Sequence, residues 1–325
     1  MDISVLVEAK NVHKDYPLKR KSLFKKPEVV KAVRGVSFSL LEHETFGCVG
    51  ESGCGKSTLS RLLIMLEKPT KGKVLYRNKN IHVAKKTEMM KLREKVQLVL
   101  QDPYLSLPSW IKVGDIIRDP LNIHRRSLTE NQKREKVLTA LADVGLGPDA
   151  YERYPLSFSA GQRQMINIAR AIVLNPEIVI LDEAVAALDV SVQASILNLF
   201  SALREKKGLA YLLIAHDIGV VKHMCDRVAV MYLGRIVELG KNEDIFGEAR
   251  HPYTQALLQA VPTIEDGLEN KAAEVLRGEV PSPINVPEGC TFKSRCSQAM
   301  SICEREVPDL IDTGQGHYVE CHLYA

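Results

Sequence analysis

The sequence predicts an α/β fold with a mainly parallel sheet covered on both faces. Three observations carry that reading. Short, continuous apolar runs recur at Ile178 to Leu181, Leu209 to Ala215 and Val228 to Tyr232, the composition of strands buried on both sides. Helix-patterned stretches separate them, and Val192, Ile196, Phe200 and Leu203 mark one such helical face. A β-rich run, Thr45 to Val49, passes through a glycine-rich loop into a helix-forming segment, as βα units do.

The elements follow in order. Thr45 to Val49 ends at Gly50, and the helical composition of Leu59 to Leu66 closes near Pro69. Val96 to Leu100 reads as a strand, and Glu130 to Val144 as an amphipathic helix stopped by Gly145. The three apolar runs complete the sheet. From about Lys241 the alternation stops and Pro, Gly and Cys become frequent, so 241–325 is expected to be a small extension appended to a main unit, 1–240.

The composition excludes several classes. With 325 residues, 45% hydrophobic and 26% charged, the chain fits neither disorder, nor a collagen-like repeat, nor a disulfide scaffold. A balance of 44 basic and 40 acidic residues, +4 net, is too small to imply nucleic-acid binding. Charge is uneven, however: Lys14, Lys19, Arg20, Lys21, Lys25, Lys26 and Lys31 face only Asp15 and Glu28, a local +5. That segment lies between two strand-like stretches and reads as a solvated loop, with anionic lipid or RNA as the sharper alternative. No apolar run approaches the ~18 residues of a membrane span. The start, MDISVLVEAKN, lacks the basic n-region of a secretory signal, so the chain is expected in the cytosol with its thiols reduced.

Gly50-Glu51-Ser52-Gly53-Cys54-Gly55-Lys56-Ser57-Thr58 matches GxxxxGK(S/T) directly after a strand and before a helix. Gly50, Gly53 and Gly55 let backbone N–H groups turn around a polyphosphate at a helix N-terminus, with Ser52, Cys54 and Thr58 in the same loop. Lys56 is expected to reach the β- and γ-phosphates, and the Ser57 hydroxyl to ligate Mg²⁺. Ile178-Val179-Ile180-Leu181 ends in adjacent carboxylates. Asp182 is placed to hold the Mg²⁺ shell and Glu183 to polarise an attacking water. Cys54, near a helix N-terminus, is either a reactive thiol of lowered pKa or a filler of a variable loop position.

Between these elements lies Ser157-Phe158-Ser159-Ala160-Gly161-Gln162-Arg163-Gln164. Here the sequence resembles the ATP-binding subunits of ABC transporters, whose LSGGQ signature stands as FSAGQ. Gln101 in VLQDP matches the Q-loop, Asp189 in AALD the D-loop, His216 in IAHD the switch histidine, and Tyr16 the aromatic that stacks on adenine. GEVPSPINVPEGCTFKSRC, Cys303, CHLY and HPYTQALLQAVP resemble the C-terminal extension of oligopeptide and dipeptide importer ATPases of the OppF or DppF type. Ala160, Ala184 and Ala186 depart from the usual pattern, as does SLPSWIKVGD.

The resemblance implies a P-loop cassette with a RecA-like core, an antiparallel β subdomain and a helical subdomain at about 103–170. It implies ATP and Mg²⁺ as cofactors and a head-to-tail pair with a second ABC ATPase subunit, heteromeric or homomeric. Ser159, Gly161 and Gln162 of one subunit would then meet the other subunit's ATP. Gln101 would reach the Mg²⁺, and Glu183 with His216 would hold the attacking water. Two separate permease subunits, and indirectly a solute-binding protein, would complete a peptide importer at the cytoplasmic membrane face, with no nucleic acid involved. Trp110 would lie on the permease contact or, alternatively, in the core. Nickel and other solute importers share such cassettes. A soluble ABC ATPase acting on nucleic acid or ribosomes, and a non-catalytic regulatory subunit, are the competing classes.

Cys290, Cys296, Cys303 and Cys321 are spaced C-x5-C-x6-C-x17-C in a tail poor in apolar periodicity. Cytosolic thiols disfavour disulfides, and zinc ligands usually come in closer pairs. A four-iron, four-sulfur ([4Fe–4S]) cluster tolerates such loops, and similar extensions in this importer family are associated with one. Zinc, with His317 or His322 as substitute ligands, and reduced structural cysteines are the alternatives.

Overall fold

The computed structural model describes residues 4–18, 27–102, 106–186, 188–260 and 278–325. Strand β3 (Thr45–Val49) is buried at all five positions and occupies the middle of an eight-stranded sheet. It pairs in parallel with β8 (Ala210–Ala215) and β9 (Arg227–Tyr232). Beyond β8 follow β7 (Ile178–Asp182) and β6 (Val96–Val99), also parallel. Apolar side chains on both faces drive this arrangement, because each face must be covered by helices. Parallel strands also bring their C-terminal ends to one edge, where the loops after β3, β7 and β8 meet.

On the far side, β10 (Arg235–Lys241) runs antiparallel to β9. The tail does not simply hang from the main unit. Its strands β11 (Leu310–Asp312) and β12 (Tyr318–Glu320) extend the same sheet, β12 pairing with β10 and β11 with β12. An open edge of β10 offers unpaired backbone groups that a three-residue strand can satisfy; three residues are too few for a periodic pattern to announce.

A second, antiparallel sheet has the order β2 (Val29–Leu41), β1 (Val5–Pro17), β4 (Lys71–Tyr76), β5 (Lys79–Asn80). Phe38 stacks on Phe46 of β3 at 5.0 Å, joining the two sheets through one core. Lys14 and Lys31 belong to β1 and β2, whereas Lys19, Arg20, Lys21, Lys25 and Lys26 lie outside the described residues. Lys14 is engaged by Glu67 at 3.0 Å.

Helix α1 (Lys56–Leu63) starts at Lys56, earlier than composition indicates, because Gly55 at φ 109° turns the loop directly into it. Helix α2 (Lys86–Lys95) leads to β6. Helices α3 (Val113–His124), α4 (Glu130–Asp143) and α5 (Ala160–Ile172) pack Ile117, Leu121, Val137, Leu141 and Ile166 together, each fully buried. Thr129 and Gln132 close a capping box on α4. Helix α6 (Val190–Lys207) buries Ile196, Phe200 and Leu203, with Val192 only half-buried. Helices α7 (Ile218–Met224), α8 (Asn242–Gly247) and α9 (Pro252–Gln259) follow. No helix among the described residues is long and apolar enough to cross a membrane.

Candidate nucleotide site

The loop after β3 is shaped by its glycines. A Cβ on Gly50 (φ 153°) would lie 2.1 Å from the Met231 carbonyl, and one on Gly55 2.2 Å from that of Ala32. Only glycine fits either position. Lys56 is 5% exposed and folds back over the loop, its Nζ donating to the carbonyls of Gly50 (2.7 Å) and Glu51 (3.1 Å).

At the end of β7, Asp182 Oδ2 accepts from Ser60 Oγ at 3.0 Å, and Oδ1 stands 3.5 Å from Ser57 Oγ. Burial pushes the Asp182 carboxyl above its usual range, and the Glu183 charge adds to this. A hydroxyl and a carboxylate already close together suit a hard divalent cation such as Mg²⁺. Glu183 has a left-handed backbone (φ 52°), uncommon for a non-glycine residue. Its amide donates to Ile214 O at 2.9 Å, and its Oε2 lies 3.5 Å from His216 Nδ1.

Of these groups Gly55, Lys56, Ser57 and Glu183 border one cavity of about 280 Å³, with Tyr16, Val30, Ala32, Ser52, Gly53, Thr58 and Pro283; Asp182 and His216 do not line it, and exposed His216 shares a smaller neighbouring hollow with Glu183. Tyr16 donates its hydroxyl to Glu67 at 2.5 Å and carries the Lys14 ammonium 4.9 Å from its ring centre. A hollow of about 300 Å³ beside α4 and one of about 620 Å³ between β1 and β11 are as large or larger. Neither gathers the phosphate loop and the carboxylates, so chemistry rather than size selects the site.

Other sequence-selected residues stand apart. Ser159, Gln162, Asp189 and Gln101 are exposed and none lines the cavity. Ser159 and Gln162 form a capping box on α5, at 3.3 and 3.1 Å. Asp189 caps α6 through the Val192 amide at 3.0 Å. Gly161 packs so closely on α6 that a Cβ would lie 2.5 Å from Val192. Gln101 follows β6, the outermost parallel strand and three places from β3, which separates it from the loop.

Of the two readings of Cys54 the loop filler stands: it is 2% exposed, and burial, opposed by Lys56, raises its pKa instead of lowering it. Trp110 is 78% exposed, so it is not a core residue. Residues that sequence reasoning passed over tie the site together. Buried Gln164 donates to Ala184 O at 2.7 Å, linking α5 to the loop after β7. Ser60 lies one helical turn beyond Ser57 and was findable by that spacing.

In the tail, Cys290, Cys296, Cys303 and Cys321 are free thiols within one neighbourhood. Burial first, then Cys303, Cys321 and Cys296, push the Cys290 thiol up to about 11. Among the described residues, no three His, Cys, Asp or Glu side chains are grouped so as to hold a metal ion. The histidines of the zinc alternative are engaged elsewhere. His317 Nε2 is 2.7 Å from Glu238 Oε1, both buried, and His322 Nε2 is 3.0 Å from Glu306 O.

A glycine-rich loop at the edge of a parallel sheet, facing carboxylates from a non-adjacent strand, is the framework of an ATP-hydrolysing cassette. Residues 33–186 match the ABC transporter family, and residues 237–303 match the oligopeptide/dipeptide transporter C-terminal region. The chain belongs to the ABC transporter ATPases, in the group that carries this C-terminal region. It is 46% identical to the oligopeptide transport ATP-binding protein AppF of Bacillus subtilis, over 98% of each chain. It is 48% identical to the dipeptide transport ATP-binding protein DppF of Escherichia coli, over 97% of this chain and 93% of that one. Among solved structures, the dimeric post-hydrolysis ATP-binding cassette MJ0796 bound to ADP and Pi matches with a TM-score of 0.64. That match is 28% identical and covers 73% of this chain and 99% of that one. The chain is an ATPase subunit with ATP and Mg²⁺ as its cofactors.

Proposed function

We propose that this chain hydrolyses ATP to power peptide uptake through two separate permease subunits, on the cytoplasmic face of the membrane, with a solute-binding protein supplying the peptide. The observation that carries this reading is the cavity bordered by Tyr16, the phosphate loop and Glu183. In a chain whose relatives are named for oligopeptide and dipeptide transport, that cavity is the ATP site. Residues 1–240 form the cassette and 241–325 the extension whose last strands complete its sheet.

Tyr16 stacks on the base, and the loop from Gly50 to Thr58 receives the phosphates. Lys56 swings from its own loop carbonyls to the β- and γ-phosphates. Ser57 and Asp182 would hold the Mg²⁺, with Gln101 as a further ligand, and the ion would supply neutralisation of phosphate charge. Glu183 polarises the attacking water, and His216 orients it and the γ-phosphate. Ser159, Gly161, Gln162 and Asp189 act on the ATP of a second subunit, preferably a heteromeric partner. Their position outside the cavity that Lys56 lines supports this reading. A four-thiolate iron–sulfur cluster in the tail is the finer assignment; it rests on the resemblance of the extension and on its four reduced cysteines, which as placed are not grouped to hold a metal ion. Anaerobically purified protein should then be brown, contain iron and labile sulfide, and lose its colour in Cys303→Ser; colourless, iron-free protein would end that assignment.

The test of the ATP site is Glu183→Gln. ATP binding should persist while turnover falls about 10²–10⁴-fold, the range for losing a positioned base. Near-normal turnover would remove Glu183 from the role.

A further inference from the structure

Glu51, the first variable residue of the phosphate loop, does not line the ATP cavity. Its carboxylate turns the other way and forms a two-pronged ion pair with Arg295 of the tail. Arg295 Nη1 reaches Oε2 at 2.7 Å, and Nη2 reaches Oε1 at 2.9 Å. The Arg295 side chain is 4% exposed and the Glu51 side chain 26%. The Glu51 amide donates to the hydroxyl of buried Tyr253, again from the extension, at 3.0 Å. Its carbonyl accepts from Lys56. One loop residue is thus held by two groups of the extension on one side and by the phosphate-binding lysine on the other.

The anchor is itself rigid. Phe292, 2% exposed, sits 5.3 Å from the Tyr232 ring and 5.4 Å from that of Tyr253. Arg295 lies over the Tyr232 ring at 5.8 Å. The turn that presents Arg295 is closed by its amide bond to Phe292 O at 2.9 Å and by the bond from Cys290 N to Cys303 O at 2.9 Å. The extension meets the cavity itself at Pro283, which lines it and accepts the Lys31 amide at 3.0 Å.

We propose that Arg295 is a positioning residue for the phosphate loop: acting through Glu51, it holds the loop in the curve that receives the phosphates of ATP. The proposal rests on the nucleotide-site reading above. A loop with three glycines in six residues, Gly50 to Gly55, has much conformational freedom to lose when it closes on a polyphosphate. Fixing it beforehand lowers the cost of binding. The loop amides hold the phosphates in the ground state and the transition state alike, so a loosened loop raises KM more than it lowers kcat. The extension, whatever occupies its four thiols, thereby becomes a determinant of ATP affinity.

The test uses the full-length chain, with MgATP titration by calorimetry beside steady-state hydrolysis. Arg295→Gln and Glu51→Gln should each raise Kd and KM for MgATP about tenfold, as expected for loss of a charged hydrogen-bonded pair. The change in kcat should be much smaller. The double variant should be no worse than either single one, and Arg295→Lys should recover part of the loss. If Arg295 served only to hold the tail, the variants would lose active protein and Vmax while KM stayed put, and that result overturns the proposal. Should Arg295→Gln not fold, Glu51→Gln decides alone: a wild-type KM there overturns the proposal equally. Failure of the wild-type chain to bind MgATP would instead bring down the nucleotide-site reading, and this proposal with it.

Discussion

At Cys54 two effects compete. A helix N-terminus and the Lys56 ammonium favour the thiolate, while burial to 2% exposure disfavours it, and burial is the larger influence. A raised thiol pKa means less thiolate at any given pH. Iodoacetamide should therefore label Cys54 slowly in the native protein at neutral pH, and the rate should climb only above the ordinary thiol range. Denaturant should abolish the protection. Peptide mass spectrometry reads this directly, and fast native labelling at neutral pH would contradict it. The motif pattern located this cysteine but could not tell how deeply its sulfur is buried, because that depends on how the loop packs in the fold. Glu183 shows the opposite case: its place after an apolar strand was legible, and only its left-handed backbone, which aims the carboxylate at the cavity, was not.

At the scale of elements, the junction of β10 and β12 matters most. Glu238, 0% exposed, accepts from His317 Nε2 at 2.7 Å, from the Arg250 amide at 2.7 Å and from the His251 amide at 3.1 Å. Burial drives the His251 imidazole down to about 3, so it stays neutral beside this carboxylate. His317→Ala would leave a buried carboxylate short of its closest side-chain partner and should cost roughly 3 kcal/mol. A lower urea midpoint with an unchanged m-value would show it; an unchanged midpoint would mean that the two amides suffice. The parallel strands and α4 were readable from apolar runs and an end-capping glycine. The tail strands were not, since three residues carry no period and their pairing depends on which edge lies free.

For the whole molecule, exposed Trp110 (78%), Leu156 (68%) and Tyr154 (47%) belong to two stretches tied by the Val113 amide to Arg153 O at 2.9 Å. Aromatic groups left in water at that level are suited to a partner surface. Trp110→Ala should leave ATP hydrolysis by the isolated chain unchanged and reduce the permease recovered in pull-down of the membrane complex. Equal recovery would place the permease contact elsewhere. With ATP and Glu183→Gln, the chain and its partner subunit should migrate as a dimer in light scattering, because hydrolysis no longer reopens it; a monomer under those conditions would argue against signature residues acting across subunits.

What the sequence by itself determined is the chemistry carried by near neighbours. The loop from Gly50 to Thr58, the Asp182–Glu183 pair and the signature stretch from Ser157 to Gln164 all join residues within a few positions, where chain geometry leaves little choice. Tertiary structure decided what depends on distant segments meeting. Arg295 and Glu51 are 244 positions apart, and Tyr253 and Glu51 are 202 apart. No local pattern couples such residues. They meet because β9 carries Tyr232 beside β3, Phe292 and Tyr253 close around that ring, and the turn after Phe292 then points a buried guanidinium at the back of the phosphate loop.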